Sequence, residues 1–128
     1  MTGTFDLIVI GTGTAARLAA MRCRAAGWTV AVIDCRPFGG TCALHGCDPK
    51  KMLVGGASAL DHARRMDGKG VGGKPHIDWP ELIAFKRSFT DPVPQKQEES
   101  YGAKGIAALP WAGPVHRPYN ARCRGRGA

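Results

Sequence analysis

The feature that most constrains the fold is a glycine turn between an apolar run and an amphipathic helix near the amino end. Phe5–Ile10 is short, β-branched and almost continuously apolar, which predicts a buried parallel strand. The turn Gly11-Thr12-Gly13-Thr14-Ala15-Ala16 follows, and a helical pattern then continues until Gly27. Thr29–Ile33 predicts a second strand, closed by Asp34. Strand, turn, helix and strand in about thirty residues predict a right-handed βαβ unit.

The spacing inside this turn, Gly11-x-Gly13-x-x-Ala16, is typical of dinucleotide-binding proteins. The first glycine permits the tight turn, the second lets backbone N–H groups approach a pyrophosphate, and the small third residue lets helix and strand pack. Asp34 ends the second strand, where a carboxylate can accept both hydroxyls of an adenosine ribose. The alternative is a glycine turn of another α/β protein, and the strand, helix and acid around it favour the dinucleotide site.

The stretch Gly39–Lys51 carries two cysteines, Cys42 and Cys47, five residues apart. In a regular helix that separation is a rise of about 7.5 Å, whereas the Cα atoms of a disulfide usually lie within roughly 4.4–6.8 Å. A bond between them therefore needs a distorted turn, for which Gly46 and Pro49 provide the means. Because strained disulfides are more easily reduced, the spacing favours a redox-active disulfide over a structural one.

Nearby charges bear on the ionisation of the two cysteines, and two other interpretations of the pair are possible. Lys50, Lys51 and a helix N-terminus would favour a thiolate. One alternative is a pair of unlinked core thiols. The other is a metal site made from Cys42, His45 and Cys47, but a fourth ligand is missing nearby, so we expect no metal.

Both ends of this stretch resemble the active-site signature of the class I pyridine nucleotide–disulfide oxidoreductases, flavoproteins of the glutathione reductase, dihydrolipoamide dehydrogenase and mercuric reductase type. The pattern is Gly-Gly-Thr-Cys, four residues, Cys, one residue, Pro, Ser or Lys, then Lys, and it occurs here at Gly39–Lys51. The resemblance covers residues 4 to about 108. It implies an α/β, doubly wound, Rossmann-like FAD-binding domain, present only as its N-terminal βαβ unit and the helices that follow.

The resemblance also implies roles. Cys42 would be the interchange thiol that attacks substrate, and Cys47 would lie against the flavin. Hydride from NAD(P)H would reduce FAD, FAD would reduce the Cys42–Cys47 bridge, and the dithiol would reduce the final acceptor; the lipoamide reaction reverses that flow. The residues expected along FAD lie in the turn, after the second strand and around the cysteines: Gly11, Gly13, Thr14, Ala15, Asp34, Gly40, Thr41 and Lys51.

Two residues depart from the family pattern, and both lie beside the cysteines. Leu44 stands where members usually have Asn, and Asp48 where an apolar residue is usual. The acceptor therefore stays open among a small-molecule disulfide, a dithiol and a metal ion such as mercuric ion. The family continues into an NAD(P)H domain and an interface domain with a His–Glu base, and its members are homodimers. Without these parts we expect the isolated chain to be inactive; its nicotinamide preference and oligomeric state are not predicted.

The last twenty residues differ in composition from the rest. Four of the eight net positive charges are arginines of this stretch, which has no acid, while the first 108 residues hold 14 basic and 10 acidic groups. We therefore predict a folded part at residues 1–108 and, at 109–128, a basic tail that is disordered or read in a shifted frame. Suitably chosen codons, shifted by one base, turn the tail into the family-like sequence FHGRARFTGPTTLAVEGE.

Charge, hydropathy and cysteine number narrow the function classes. The folded part carries only +4, so we expect no nucleic-acid partner. Leu7–Ile10 is far too short to span a bilayer, and five cysteines, an odd number, do not suit a secreted disulfide framework, so a cytoplasmic protein without a membrane partner is expected. Two alternatives remain: a non-catalytic flavin- or thiol-binding module, and a basic interaction protein acting through its arginine-rich tail.

The remaining segments are read from local signals. The pattern predicts a helix over residues 41–65 with a break near its start, a glycine-rich loop over 66–74, a helix beginning at Asp78 and a polar helix over 95–104. Gly68–Lys74 has part of a phosphate-loop pattern. Pro75 stands where that loop needs Ser or Thr and no strand precedes it, so a solvent loop is expected.

Overall fold

The computed structural model describes residues 4–110. The three strands of this part of the chain form one parallel sheet in the order β1-β2-β3, which confirms the α/β class and the βαβ unit. Its elements are β1 (Leu7–Ile10), α1 (Thr14–Ala25), β2 (Val30–Asp34), α2 (Gly40–Leu44), α3 (Cys47–Arg65), α4 (Trp79–Thr90), α5 (Val93–Gly102) and β3 (Ala107–Pro110).

The core lies on one side of the sheet. Val30 and Val32 pair with Leu7 and Val9 of β1, so that side chains of both strands share one face. α1 and α5 cover this face, and the rings of Phe38 and Tyr101 meet edge to face with centroids 6.2 Å apart. Such a pair adds about 0.5–1.5 kcal/mol beyond the burial of its area. The buried cluster is Ala20, Val30, Val32, Phe38, Tyr101 and Ile106.

The opposite side of the sheet is largely open. Ile8 and Ile10 of β1 alternate with the core residues and are 45% and 64% exposed, and Leu109 of β3 is 44% exposed. The predicted strand at Phe5–Ile10 does pair in parallel, and it begins at Leu7. The prediction that it is buried was wrong, because every second side chain is exposed. The reason is that side chains of a strand alternate between the two faces of the sheet, and of β1 only Leu7 and Val9 pack against the buried cluster.

β3 crosses the predicted boundary at residue 108. Leu109 pairs with Ile33 and Pro110 with Asp34, so these two residues belong to the sheet and not to a tail. The local sequence gave no strand signal here, because the segment is short and ends in proline. The rest of the predicted tail, residues 111–128, lies outside the described residues.

α3 and α4 pack against each other, and Leu82 lies on Gly56, where an added Cβ would come within 3.0 Å. α4 starts as predicted, because the Asp78 carboxylate accepts from the Glu81 N–H at 2.9 Å. The predicted glycine-rich loop lies between the two helices, and its Gly68 has a positive φ. α5 begins two residues before the predicted start. No helix between residues 4 and 110 is long and apolar enough to cross a membrane.

Candidate functional site

The glycine turn joins β1 to α1 at the carboxyl end of the sheet. Gly11 has a φ of +99°, which requires glycine, and its N–H donates to the Ile33 carbonyl of β2 at 2.7 Å. Gly13 is the N-cap of α1 and supplies no side-chain cap, and the first turn has no acidic residue. The amides at this helix N-terminus thus face outward without a charged partner, an arrangement suited to an anion.

Thr12 lies at the centre of the site, although no role was predicted for it from the sequence. The residue is 1% exposed. Its hydroxyl donates to Asp34 Oδ2 at 2.6 Å and accepts from the Gly39 N–H at 3.1 Å. One buried hydroxyl therefore joins the turn, the end of β2 and the loop that leads to the cysteines.

Asp34 lies where the sequence placed it, at the end of β2 next to the turn. Its Oδ2 accepts from Thr12 and its Oδ1 accepts from the Arg36 N–H at 3.0 Å. These bonds fix the plane of the carboxylate. Each oxygen retains a lone pair, so the group can still accept the hydroxyls of a ribose.

Gly39 and Gly40 bring the cysteine segment against the turn. Their φ values are +141° and +67°. A Cβ on Gly40 would lie 2.5 Å from the Gly13 Cα, and a Cβ on Gly39 would lie 2.8 Å from Val93 Cγ1 of α5. The backbone of the predicted FAD-contacting residue Gly40 therefore lies directly on that of Gly13, which no side chain would allow.

Gln97 of α5 is a second residue that the sequence analysis missed. Its Nε2 donates to the Thr12 carbonyl at 2.8 Å and to the Tyr101 hydroxyl at 3.0 Å. Residues 12 and 97 are far apart in sequence, so no local pattern could have identified this bond.

The two cysteines lie on separate helices, with the predicted break between them. α2 ends at Leu44 and α3 begins at Cys47, so the residues between them leave the helical path. Gly46 makes the break, because a Cβ there would lie 3.0 Å from the Thr41 carbonyl oxygen. Pro49 does not interrupt the helix and instead lies buried in the first turn of α3. Cys42 and Cys47 are both free thiols in this state.

The pKa of the Cys42 thiol is raised, whereas the sequence favoured a thiolate in this stretch. A hydrogen bond with the Cys47 side chain, burial, and the charges of Cys47 and Asp48 raise the pKa of the Cys42 thiol, outweighing a backbone hydrogen bond that lowers it. The sequence analysis expected the nearby lysines to favour a thiolate; for Cys42 that expectation was wrong in direction. The hydrogen bond with the Cys47 side chain is the largest of these effects, and the charge of Asp48 is the smallest.

The remaining predicted cofactor residues lie around the same place. Thr14 and Ala15 are exposed in the first turn of α1, Thr41 is exposed at the start of α2, and Lys51 is exposed in α3. Their contacts with a cofactor stay predictions.

The position of a side chain at Gly13 is open space. A Cβ on Gly13 would meet nothing within 4 Å, although its φ of −68° is ordinary for any residue. Within the protein, neither backbone conformation nor packing requires glycine at this position. Glycine at this position is explained where a ligand must approach the backbone closely, as in dinucleotide-binding turns.

A metal site at the cysteines finds no support. In the part of the chain that the structure describes, no group of three or more His, Cys, Asp or Glu side chains is placed to hold a metal ion. The alternative built from Cys42, His45 and Cys47 therefore lacks the required geometry.

Fold and site together define a class, a parallel α/β unit with a dinucleotide-type glycine turn beside a pair of thiols. Residues 5–107 match the family described as pyridine nucleotide-disulphide oxidoreductase. The chain belongs to that family.

The similar proteins agree with this assignment. The chain is 37% identical over 83 residues to the dihydrolipoyl dehydrogenase of Thermus scotoductus, covering 65% of this chain and 18% of that protein. It is 31% identical over 105 residues to the dihydrolipoyl dehydrogenase of Haloferax volcanii, covering 82% and 22%. The Cu(II) complex of the HOCl-induced flavoprotein disulfide reductase RclA from Escherichia coli superposes with a TM-score of 0.67 at 25% identity, covering 85% of this chain and 22% of that one.

These comparisons confirm the resemblance and the fold class. The family description names a pyridine nucleotide-disulphide oxidoreductase, and the Escherichia coli relative is a flavoprotein disulfide reductase. The chain spans about a fifth of the length of the relatives it matches.

Proposed function

We propose that this chain is the FAD-binding and dithiol-bearing part of an oxidoreductase that passes electrons between NAD(P)H and a disulfide, dithiol or metal-ion substrate. The observation that carries the proposal is the hydrogen-bonded connection through Thr12. It joins the dinucleotide-type turn to Asp34 and to Gly39, three residues before the thiol of Cys42. Hydrogen bonds through Thr12 therefore connect the proposed cofactor site to the loop that leads to the cysteines.

The residues present fit FAD. The Gly13 amide and the first turn of α1, with Thr14 and Ala15, would hold the diphosphate, Gly11 would make the tight turn beside it, and Asp34 would hold the adenosine ribose. Gly40 and Thr41 would run along the cofactor, with Lys51 of α3 near its ring. When bound, FAD supplies hydride acceptance from a nicotinamide and two-electron reduction of a disulfide.

The cysteine pair would then do the substrate chemistry. With a disulfide substrate, the Cys42 thiolate attacks one sulfur, and the first substrate thiolate leaves as a mixed disulfide forms. The Cys47 thiolate attacks Cys42 sulfur, closes the Cys42–Cys47 bond and releases the second thiolate. Two thiols are oxidised, one disulfide is reduced, and the two thiol protons end on the released thiols. A dithiol substrate reverses the order.

The metal-ion alternative has a specific observation in its favour, since the similar Escherichia coli flavoprotein was solved as a Cu(II) complex. For this chain the acceptor would be a soft or thiophilic cation, which two thiols and the adjacent Asp48 can attract. Cytoplasmic location is part of the proposal, because reducing surroundings keep such a pair free to cycle.

The test uses the 128-residue chain in two measurements. Titration with FAD, followed by flavin fluorescence, should show saturable binding that Asp34→Ala weakens. Mild oxidation with diamide should link Cys42 to Cys47, so that iodoacetamide then labels the other three cysteines of the sequence but not this pair. Cys42→Ser and Cys47→Ser are the matched controls, each leaving one labelled partner.

Two results would contradict the proposal. One is a wild-type chain that does not bind FAD in this titration. The other is a pair that stays fully labelled after oxidation while the chain remains folded by circular dichroism.

A further inference from the structure

Gln97 holds the glycine turn from the side of α5. Its amide nitrogen donates to the Thr12 carbonyl at 2.8 Å and to the Tyr101 hydroxyl at 3.0 Å. Thr12 and Tyr101 are both buried, while Gln97 itself is half-buried. Because a carbonyl oxygen only accepts, the NH₂ end of the side chain is the end that can make this contact.

The bonded carbonyl belongs to the same peptide unit as the Gly13 N–H. That unit is planar and trans, so its C=O and N–H point in opposite directions. A donor that draws the carbonyl toward α5 therefore turns the Gly13 N–H away from α5. Donation to the carbonyl also polarises the amide and strengthens the N–H as a donor.

Gly13 is the N-cap of α1, and a Cβ placed on it would meet nothing within 4 Å. We propose that Gln97 is a positioning residue: by holding the Thr12 carbonyl, it aims the Gly13 amide at the diphosphate of an adenine-containing ligand. This inference rests on the proposed function, since it needs the turn to be a diphosphate site. Gln97 touches no ligand and acts only through the peptide.

The docking of α5 does not depend on Gln97. Val93 packs on Gly39 at one end of the helix, and Tyr101 packs edge to face on Phe38 at the other. Removing the Gln97 amide should therefore disturb the turn while α5 stays in place. Gln95 offers a matched control on the same helix, because it is exposed and bonds only the Glu99 side chain, at 2.9 Å.

The experiment measures ADP binding to the 128-residue chain by calorimetry. Gln97→Leu should weaken ADP binding about tenfold, as expected for the loss of one well-placed hydrogen bond to a buried group. Gln95→Leu should bind ADP as the wild type does. Gln97→Glu should be weak at neutral pH, where a carboxylate faces the carbonyl, and should regain affinity relative to Gln97→Leu as acid protonates the carboxyl into a donor.

A ligand-free measurement separates this inference from the proposed function. Amide hydrogen exchange at Gly39, whose N–H bonds the Thr12 hydroxyl, should accelerate in Gln97→Leu and not in Gln95→Leu. A wild-type chain that binds no ADP contradicts the proposed function, and the inference with it, even when the exchange result holds. Wild-type binding with unchanged affinity in Gln97→Leu, or a Gln97→Glu chain that parallels Gln97→Leu at every pH, overturns the inference alone. If Gln97→Leu does not fold, the pH profile of Gln97→Glu decides.

Discussion

The glycine turn and the cysteine segment are neighbours that are held in different ways. The turn is fixed by long-range hydrogen bonds from β2, α5 and the Gly39 loop, all converging on buried Thr12. The cysteines sit at a break between two helices, where Cys47 is exposed and its side chain is a hydrogen-bond partner of the Cys42 thiol. The turn is therefore preorganised for the ligand we propose there, while the cysteines keep the freedom that the proposed bond exchange needs.

The largest expected effect on stability comes from forcing apart the backbone contact between the two regions. Gly40→Ala combines a φ of +67° with a Cβ 2.5 Å from the Gly13 Cα, so the backbones must separate. We expect a loss of about 3 kcal/mol in the free energy of unfolding, measured by urea denaturation. Gly55→Ala is the control, because its Cβ meets nothing in the middle of α3 and should add about 0.5–1 kcal/mol. Equal effects at both positions would refute the predicted contact.

A smaller effect is expected when the central hydroxyl is removed. Thr12→Val keeps the shape of the side chain but leaves Asp34 without its donor and the Gly39 N–H without its acceptor. The free energy of unfolding should fall by about 2 kcal/mol, measured in the same way. Thr12→Ser keeps both bonds and should recover most of the loss; a serine variant as unstable as the valine variant would argue for the methyl group instead.

Gly13→Ala separates binding from stability. The added Cβ meets no protein atom, so the change in the free energy of unfolding should stay under about 1 kcal/mol, the usual cost at an N-cap. The methyl group nevertheless enters the space proposed for a diphosphate, and ADP affinity should fall about tenfold, or about 1.4 kcal/mol. Calorimetry on folded protein checks this, and undiminished ADP binding would place the ligand elsewhere.

The smallest effect concerns the redox half. Asp48→Asn removes a negative charge that raises the pKa of Cys42, so the thiolate of Cys42 should form at lower pH. Its rate of alkylation near pH 7 should rise by less than about tenfold, because the carboxylate is exposed and screened. Rates measured against pH, with Asp61→Asn of α3 as a distant control, test this. A profile that does not move would remove Asp48 from the account of Cys42.

The same comparison explains what the sequence could predict. Gly11, Gly13 and Asp34 belong to a local strand–turn–helix pattern, in which the positive φ of Gly11 requires glycine, and Asp78 caps α4 by bonding three residues ahead. The roles of Thr12 and Gln97 depend on a bond between elements far apart in sequence, for which no spacing rule exists.

The errors had physical causes as well. Lys50, Lys51 and a helix N-terminus were expected to favour a thiolate, whereas the pKa of Cys42 is raised, mainly by its hydrogen bond with the Cys47 side chain and least by the charge of Asp48. The strand at Ala107–Pro110 was missed because pairing with β2, and not local propensity, makes it extended.

The open side of the sheet has a practical consequence for handling the protein. Register places Ile8 and Ile10 across from β2, with Leu109 on the same side two strands away. An exposed apolar surface of this kind promotes aggregation at high protein concentration. Purification should therefore proceed in dilute solution, and an Ile10→Thr exchange, which keeps the β-branched shape, is the mildest change expected to improve yield.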